Sequence, residues 1–287
     1  MAWGAAWQSL FIELFPCNCR FCNSPLLEIS RLPVCAACLA AICAIDGPVC
    51  SVCGERLPGP CLPSAAEGAE GELRCLECLR LEPPFQRAVA YGSYESGLRE
   101  LIHLLKYERV RPAALVLGRM LAEAAGKITP EFDTKALPLV VPVPLHDSKR
   151  RQRGFNQSEL IARAMLRNMA GAPLSLNPSS LRRTRATESQ TGFSRAQRRA
   201  NVRGGFAVSR PKDVAGRDVL LVDDVFTTGT TVSECARVLQ RAGAARVWVV
   251  TVARVLKFES PQAVPGGIEL DRESTTAAAP LARAAQA

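Results

Sequence analysis

The placement of the cysteines constrains this chain more than any other feature of its sequence. Eleven of the twelve cysteines lie between Cys17 and Cys78, and eight of them form four C-x-x-C pairs. One such pair can direct two thiolates at a metal ion, and two pairs complete a tetrahedral zinc site with four thiolate ligands. We therefore expect metal to organise the segment 16–82, which is rich in Cys, Pro and Gly and has little hydrophobic periodicity.

Four pairs predict two structural zinc sites. Pairing in sequence order gives two consecutive ribbon-like sites, and interleaved pairing stays open as an alternative. A redox C-x-x-C normally occurs once, beside a βαβ pattern, so four copies disfavour that role. Cysteines 43, 61 and 235 are interpreted as spare, and Cys17 is the favoured substitute ligand because it lies close to the first pair. The predicted ligands are Cys19, Cys22, Cys35, Cys38, Cys50, Cys53, Cys75 and Cys78.

The composition is that of a globular chain of about two domains. Of 287 residues, 48% are hydrophobic and 22% charged, and no run reaches the length of about 18 apolar residues that would predict membrane insertion. Residues 1–15 have an amphipathic helical period without the basic start of a signal peptide, so we expect a helix that packs on the protein's own body. Reduced thiols predict a cytoplasmic protein. No oligomeric state is indicated.

Charge is unevenly distributed along the chain. Residues 1–82 carry five arginines against nine acidic residues, a net charge of −4, whereas 140–217 carry sixteen basic against four acidic residues, a net charge of +12. A phosphate-rich partner is therefore expected at the second region, and direct phosphate binding by the cysteine-rich segment is disfavoured.

The region 87–255 has the alternating pattern of an α/β domain. Apolar runs bounded by turn residues predict buried strands, and spacings of three and four residues predict helices, one of them opened by a capping box of Asn156 and Glu159. This alternation predicts a mostly parallel sheet with helices on both faces. An Arg-rich polar segment covers 177–203, and a disordered tail is expected over 258–287. The expected strands cover 137–143, 219–222 and 247–252, and the expected helices cover 98–105, 112–125, 231–242 and a stretch starting at 157.

The run VLLVDDVFTTGTTV, residues 219–232, is the most informative for function. A buried strand is expected to end in Asp223 and Asp224, and a loop with four threonines and a glycine then leads into a helix. Backbone N–H groups, hydroxyls and a helix N-terminus together suit a phosphate dianion. The loop lacks the lysine of a Walker motif. Acids just before such a loop match a ribose 5-phosphate, with the diol on the acids and the phosphate on Thr227, Thr228, Gly229, Thr230 and Thr231.

At these residues the sequence resembles the phosphoribosyltransferase family, whose type I members bind 5-phosphoribosyl 1-diphosphate with such a motif. Two further stretches, 142–165 and 181–208, resemble the competence protein ComF branch, and the double C-x-x-C ribbon in front completes that pattern. The resemblance covers about 16–255. It implies a type I phosphoribosyltransferase-like domain over 87–255 behind the zinc ribbons of 16–82, and a link to DNA uptake and to competence-machinery proteins.

The resemblance also implies further site residues. Pro144 follows the strand where such transferases keep their pyrophosphate loop, and the adjoining basic turn carries Arg150 and Arg153. The 181–203 segment corresponds to the mobile loop that closes over the diphosphate. Lys106, at the end of a helix, is interpreted either as a dipole partner or as a pocket residue. The candidates in the mobile loop are Arg182, Arg185, Gln190, Arg199 and Asn201.

The implied activity is binding of 5-phosphoribosyl 1-diphosphate with magnesium and transfer of the phosphoribosyl group to an acceptor that the sequence does not identify. Magnesium would bridge the diphosphate and the ribose hydroxyls, and no strong base is needed if the acceptor is an amine. The alternative is a non-catalytic protein that retains the fold and handles single-stranded DNA with its basic face. Aromatic residues available there for base stacking are few, Phe155, Phe193 and Phe206.

Overall fold

A computed structural model describes residues 17–26, 28, 30–58, 73–133, 135–185 and 195–257, with the side chains of 195, 196, 198 and 199 left out. The helix expected over 1–15 and the tail expected over 258–287 lie outside the described residues. The division into segments 16–82 and 87–255 stays a prediction. Within the described ranges, no helix is long and apolar enough to cross a membrane.

The centre of the protein is a five-stranded sheet in which every strand pair is parallel, as the alternating pattern predicted. Its strands are β1 (Ala88–Ser93), β2 (Leu139–Pro142), β3 (Ser175–Leu176), β6 (Asp218–Phe226) and β7 (Arg246–Arg254). They lie in the order β1-β7-β6-β2-β3. The two longest strands, β6 and β7, lie side by side in the middle and pair over their whole lengths.

Apolar side chains on both faces of the sheet explain the nearly continuous hydrophobic runs of its strands. Alternate residues point to opposite faces, so Leu220 and Val222 join one core while Val219 and Leu221 join the other. Helices α3 (Ser96–Lys106), α4 (Ala113–Gly126) and α6 (Gln157–Asn168) cover the first face. Helix α9 (Thr230–Arg241) covers the second. The expected two-sided layering is confirmed.

Cap and strand boundaries differ from expectation in two places. Asn156 caps α6 by accepting from the N–H of Ser158, but Glu159 pairs with Arg163 one turn on instead of completing a capping box. The strand expected to stop at Val222 continues through the acidic pair to the end of β6, because β7 supplies hydrogen-bonding partners along that length.

The Arg-rich segment contains regular structure on both sides of 186–194, which lie outside the described residues. Strand β4 (Leu181–Arg183) pairs antiparallel with β5 (Phe206–Val208), and helix α7 (Arg195–Val202) lies between them in sequence. Buried Leu181, Val202 and Phe206 anchor these pieces in the second core. The sequence analysis considered only the polar character of this segment and therefore did not predict that these three apolar residues are buried. Two further short helices are α5 (Asp147–Arg153) and α8 (Pro211–Val214).

The two halves of the cysteine-rich segment are built alike. Each begins with a tight hairpin, closed by the bridge Asn18–Pro25 in one case and Val49–Arg56 in the other, and is followed by a helix of five residues. The backbone hydrogen bonds of the two hairpins correspond position by position, each running from an N–H to a carbonyl oxygen. In the first hairpin they join Cys19 to Ser24, Asn23 to Cys19 and Leu26 to Cys17. In the second they join Cys50 to Glu55, Gly54 to Cys50 and Leu57 to Pro48. The helices are α1 (Ala36–Ala40) and α2 (Leu76–Arg80).

Candidate functional site

The acidic pair lies at the carboxyl edge of the parallel sheet. Asp223 and Asp224 belong to the last four residues of β6, and Asp223 is in register with Thr251 of β7. On the other side of β6, Pro142 at the end of β2 is in register with Val222. Ligand sites of open α/β sheets form at this edge, where the strands end and the following loops meet.

Lys106 is brought to this pair by α3. Its Nζ lies 2.7 Å from Oδ1 of Asp224, and the two side chains are 15% and 8% exposed. Burial works to lower the pKa of Lys106, but the charge of Asp224, the hydrogen bond to Asp224 and the charge of Asp223 together outweigh it, and the pKa lies above its ordinary value. The ion pair thus brings Lys106 to the acidic pair. Its position at a helix end had not decided between a helix-dipole partner and a pocket residue.

Asp223 is held by two hydrogen bonds to one oxygen. Its Oδ1 accepts from Oγ of Ser158 at 3.0 Å and from the backbone N–H of Asp224 at 2.9 Å. Burial and the neighbouring Asp224 charge raise the pKa of Asp223 from 3.8 to about 7. Ser158 was missed by the sequence analysis, which read the start of α6 only as a cap. It stands at the second position of the helix, and α6 begins at the same edge of the sheet.

The threonine loop follows β6 directly. Gly229 has φ +72 and forms the N-cap of α9, which begins at Thr230, one residue earlier than expected. A Cβ on Gly229 would lie 2.6 Å from Cζ of Phe226, so both the backbone angle and the space require glycine. The hydroxyls of Thr228 and Thr230 are 2.8 Å apart. Thr227 is exposed and Thr231 is half-buried.

Several cations interact electrostatically with the acidic pair or with one another. The pKa of Lys149 is lowered by partial desolvation and by the charges of Arg183, Arg153 and Lys106. Arg183 interacts electrostatically with Asp223 in turn. Lys149 and Arg183 were missed by the sequence analysis. The signals that could have found them are the i, i+4 spacing of Lys149 and Arg153 and the strand alternation that turns Arg183 away from Arg182.

Other residues predicted for the site are placed less directly. Arg150 and Arg182 are exposed, and Pro144 follows β2 in a half-buried position. Arg185 donates to the backbone carbonyls of Ala200 and Arg203, so its guanidinium holds the end of α7. Asn201 is half-buried in α7. Gln190 and the side chain of Arg199 lie outside the described residues.

The aromatic residues of the basic region do not form a stacking surface where they are described. Phe155 is buried beneath the guanidinium of Arg111 at 5.2 Å, and Phe206 is buried beneath that of Arg183 at 5.3 Å. Phe193 lies outside the described residues. The aromatic side chains therefore support arginines instead of offering faces to bases.

The eight predicted cysteine ligands form two groups of four in sequence order. Within each group the sulfur atoms all lie within 4.8 Å of one another, which a tetrahedral metal ion with four thiolates requires. This resolves the question of interleaved pairing. Cys17 is exposed and outside both groups. The first group is Cys19, Cys22, Cys35 and Cys38, and the second is Cys50, Cys53, Cys75 and Cys78.

Geometry distinguishes this edge of the sheet from the opposite one. A cavity lined by Asp133, Asp218 and Arg246 lies at the amino ends of β6 and β7. Asp218 is already paired there with Arg246 and accepts from the backbone N–H of Asp133. That cavity holds a satisfied structural ion pair, whereas Oδ2 of Asp224 is buried without a hydrogen-bond partner within the described part of the chain.

Comparison with known proteins agrees with this arrangement. The phosphoribosyl transferase domain family matches residues 156–263, which include the acidic pair and the threonine loop. "DNA utilization protein YhgH" of Escherichia coli K12 is 34% identical over 241 residues, 84% of this chain and 98% of that protein. "Competence protein F" of Haemophilus influenzae is 28% identical over 85% of this chain and 99% of that protein. "Competence protein ComFC" of Bacillus subtilis is 25% identical over 77% and 84%.

Among solved structures, a glutamine phosphoribosylpyrophosphate amidotransferase of Bacillus subtilis shares 24% identity over 50% of this chain and 26% of that one. Its TM-score of 0.32 adds nothing to the assignment. The domain match and the parallel sheet confirm the type I phosphoribosyltransferase-like α/β fold. With a relative at 34% identity over nearly its full length and further relatives named for competence, the chain belongs to the ComF family.

Proposed function

We propose that this protein binds 5-phosphoribosyl 1-diphosphate and transfers its phosphoribosyl group to an acceptor that remains to be identified. The observation that carries the proposal is the acidic pair directly before the threonine loop at the carboxyl edge of the sheet. The loop supplies N–H groups, hydroxyls and the N-terminus of a twelve-residue helix for the 5-phosphate. Asp223 and Asp224 supply acceptors for the ribose hydroxyls.

Each side chain has a role that follows from its chemistry. As the bond from C1 to the diphosphate breaks, positive charge develops on the ribose, and the carboxylates of Asp223 and Asp224 stabilise it. Lys106 pairs with Asp224 and fixes the orientation of its carboxylate. Lys149, Arg153 and Arg183, whose charges interact with one another or with the acidic pair, would neutralise the leaving diphosphate.

The site also fits a magnesium ion. Mg²⁺ prefers oxygen ligands from one or two carboxylates with substrate phosphates, and Oδ2 of Asp224 is a buried carboxylate oxygen without a described partner. Bound there with the diphosphate, magnesium would add charge neutralisation of the leaving group.

For the two four-cysteine groups we propose structural zinc, one ion in each, with the cysteine-rich segment 16–82 as a domain preceding 87–255. Backbone N–H groups of Phe21 and Cys35 donate to Sγ of Cys19 at 3.4 and 3.3 Å, a pattern that favours a thiolate. Because such sites need reduced thiols, we propose a cytoplasmic location. Elemental analysis of the reduced, metal-replete protein should give two zinc ions per chain, and fewer than about one would refute the assignment.

Titration calorimetry with 5-phosphoribosyl 1-diphosphate and Mg²⁺ tests the main proposal. Wild-type protein should bind. Thr230→Val should weaken binding about tenfold, because it removes one protein hydroxyl that donates a hydrogen bond to the charged ligand. Asp224→Asn should reduce turnover more than affinity once an acceptor is found among candidate amines and bases. Absence of wild-type binding, or equal binding by all three proteins, would refute the assignment of this loop.

A non-catalytic role on single-stranded DNA is the second candidate. The relatives' names and the net charge of +12 over 140–217 favour it, and the buried positions of Phe155 and Phe206 weigh against base stacking. Phosphate contacts release counterions, so binding by this face should decline steeply with salt. A labelled oligonucleotide titrated at low and moderate salt decides this, and no binding at low salt would remove this candidate.

A further inference from the structure

A buried arginine connects the second cysteine group to the threonine loop. Arg254 is the last residue of β7 and is 5% exposed. Its NH1 donates to the carbonyl of Cys53 at 2.5 Å, and its NH2 donates to Glu55 at 2.9 Å and lies 3.6 Å from the sulfur of Cys53. Because Cys53 is one of the four cysteines of the second group, the guanidinium contacts that group directly.

The same guanidinium lies over an aromatic ring on the neighbouring strand. Phe226 is in register with Arg254, and the guanidinium carbon is 4.3 Å from the ring centroid. Phe226 also forms the surface on which Gly229 rests, since a Cβ there would lie 2.6 Å from the ring. The contacts therefore run without interruption from Cys53 through Arg254 and Phe226 to the N-cap of α9.

Each step in this path is short and geometrically restrictive. A guanidinium is planar and presents its donors in a fixed fork, so three contacts to Cys53 and Glu55 determine its plane as well as its position. The side chain of Glu55 is 4% exposed, and its second oxygen accepts from the N–H of Lys257, which fixes the carboxylate in turn. A shift of the cysteine group would move the guanidinium and, with it, the ring beneath the loop.

We infer that Arg254 is a positioning residue that fixes the position of the threonine loop relative to the second cysteine group. Metal bound by Cys50, Cys53, Cys75 and Cys78 then strengthens phosphate binding at the loop. This inference rests on the proposed phosphate-binding function of the loop. It gives the second group a role in ligand binding beyond folding of its own segment.

Arg246 provides a matched comparison on the same strand. It also pairs with a buried carboxylate, Asp218, and its guanidinium lies 5.6 Å from the ring of Trp248. It stands at the first position of β7, at the opposite edge of the sheet from the threonine loop. Loss of the fork at Arg246 should therefore affect stability without affecting the loop.

The first test compares Arg254→Lys with Arg246→Lys in the full chain. Arg254→Lys keeps the charge but loses the planar fork of N–H donors. It should weaken the binding of 5-phosphoribosyl 1-diphosphate about tenfold in calorimetry and speed hydrogen exchange of the backbone amides of 227–231. Arg246→Lys should stay within about twofold of wild type in affinity and leave that exchange unchanged. Equal behaviour of the two variants would overturn the inference. If Arg254→Lys does not fold, Phe226→Leu replaces it, with the same expectations.

The second test concerns the metal alone. Cys75→Ser removes a ligand of the second group and Cys22→Ser one of the first, and hydrogen exchange is followed in each with and without added zinc. Exchange of 227–231 should rise in Cys75→Ser and stay at the wild-type level in Cys22→Ser. Unchanged exchange in Cys75→Ser would overturn the inference even if wild-type protein binds the ligand. If wild-type protein binds no ligand, the proposed function fails, and the exchange measurements still decide whether the coupling exists.

Discussion

Lys106 and Asp224 form a buried ion pair that joins the end of α3 to β6 across 118 residues of sequence, with Nζ and Oδ1 2.7 Å apart. Charges so poorly exposed to water depend on each other, because either one left alone would lie unneutralised in a low-dielectric environment. Oδ2 of Asp224 is buried and has no hydrogen-bond partner among the described residues. The geometry thus links the stability of this edge of the sheet to its proposed role.

We predict strong coupling between these two residues in stability. Lys106→Met and Asp224→Asn should each lower the free energy of unfolding by about 3 kcal/mol, since each leaves an uncompensated buried charge. The double variant should lose less than the sum by at least about 1 kcal/mol. Urea denaturation at pH 7.5 measures all three variants, and additive losses would show that the pair does not interact in solution.

A second prediction concerns the pH dependence of stability at Asp223. Its pKa is about 7 in the folded protein against 3.8 ordinarily, so between those values the folded state binds a proton that the unfolded state lacks. Stability from this group therefore falls as pH rises from about 4 to 7. Asp223→Asn cannot ionise, and it should melt higher than wild type by several degrees at pH 8 and much closer to wild type at pH 5. Thermal melts at both pH values check this, and a constant difference would contradict it.

Sequence patterns were sufficient for strands β2, β6 and β7, for the acidic pair and for the cysteine groups, because each rests on local signals, whereas β1 and β3 were not predicted. Buried strands show as apolar runs, and ligand pairs show as fixed spacings. The pairing of Lys106 with Asp224 could not be predicted in this way, since it depends on how α3 packs on the sheet. The same holds for Ser158, whose hydroxyl reaches Asp223 from 65 positions away.

The Arg-rich segment shows where the sequence misleads. The sequence indicated only an Arg-rich polar segment over 177–203, and the family resemblance implied a mobile loop over 181–203, but a few buried apolar residues are enough to anchor β4 and α7 there. Strand alternation then decides which arginine faces the acids. Arg182, chosen from the sequence, is exposed, whereas its neighbour Arg183 is partly buried and interacts electrostatically with Asp223.

This alternation yields a third prediction, a comparison of neighbouring arginines. Arg183→Gln should weaken binding of 5-phosphoribosyl 1-diphosphate by about tenfold, because a charged contact to phosphate is lost. Arg182→Gln removes the same charge one residue away and should change affinity by less than about threefold, mostly at low salt. Calorimetry at 0.15 M salt measures both, with thermal melts to confirm folding. A larger loss in Arg182→Gln would mean that β4 turns the other face to the ligand.

The fourth prediction concerns Gly229, where backbone angle and packing coincide. Gly229→Ala places a Cβ in a left-handed conformation and 2.6 Å from the ring of Phe226. The backbone strain and the forced shift should together lower the free energy of unfolding by about 2–4 kcal/mol and weaken phosphate binding by at least tenfold. Gly126→Ala is the control, because that helical glycine has nothing within 4 Å of its would-be Cβ, and it should stabilise the protein by up to about 1 kcal/mol. Denaturation and calorimetry of both variants test this, and wild-type affinity in Gly229→Ala would show that the loop does not hold the phosphate.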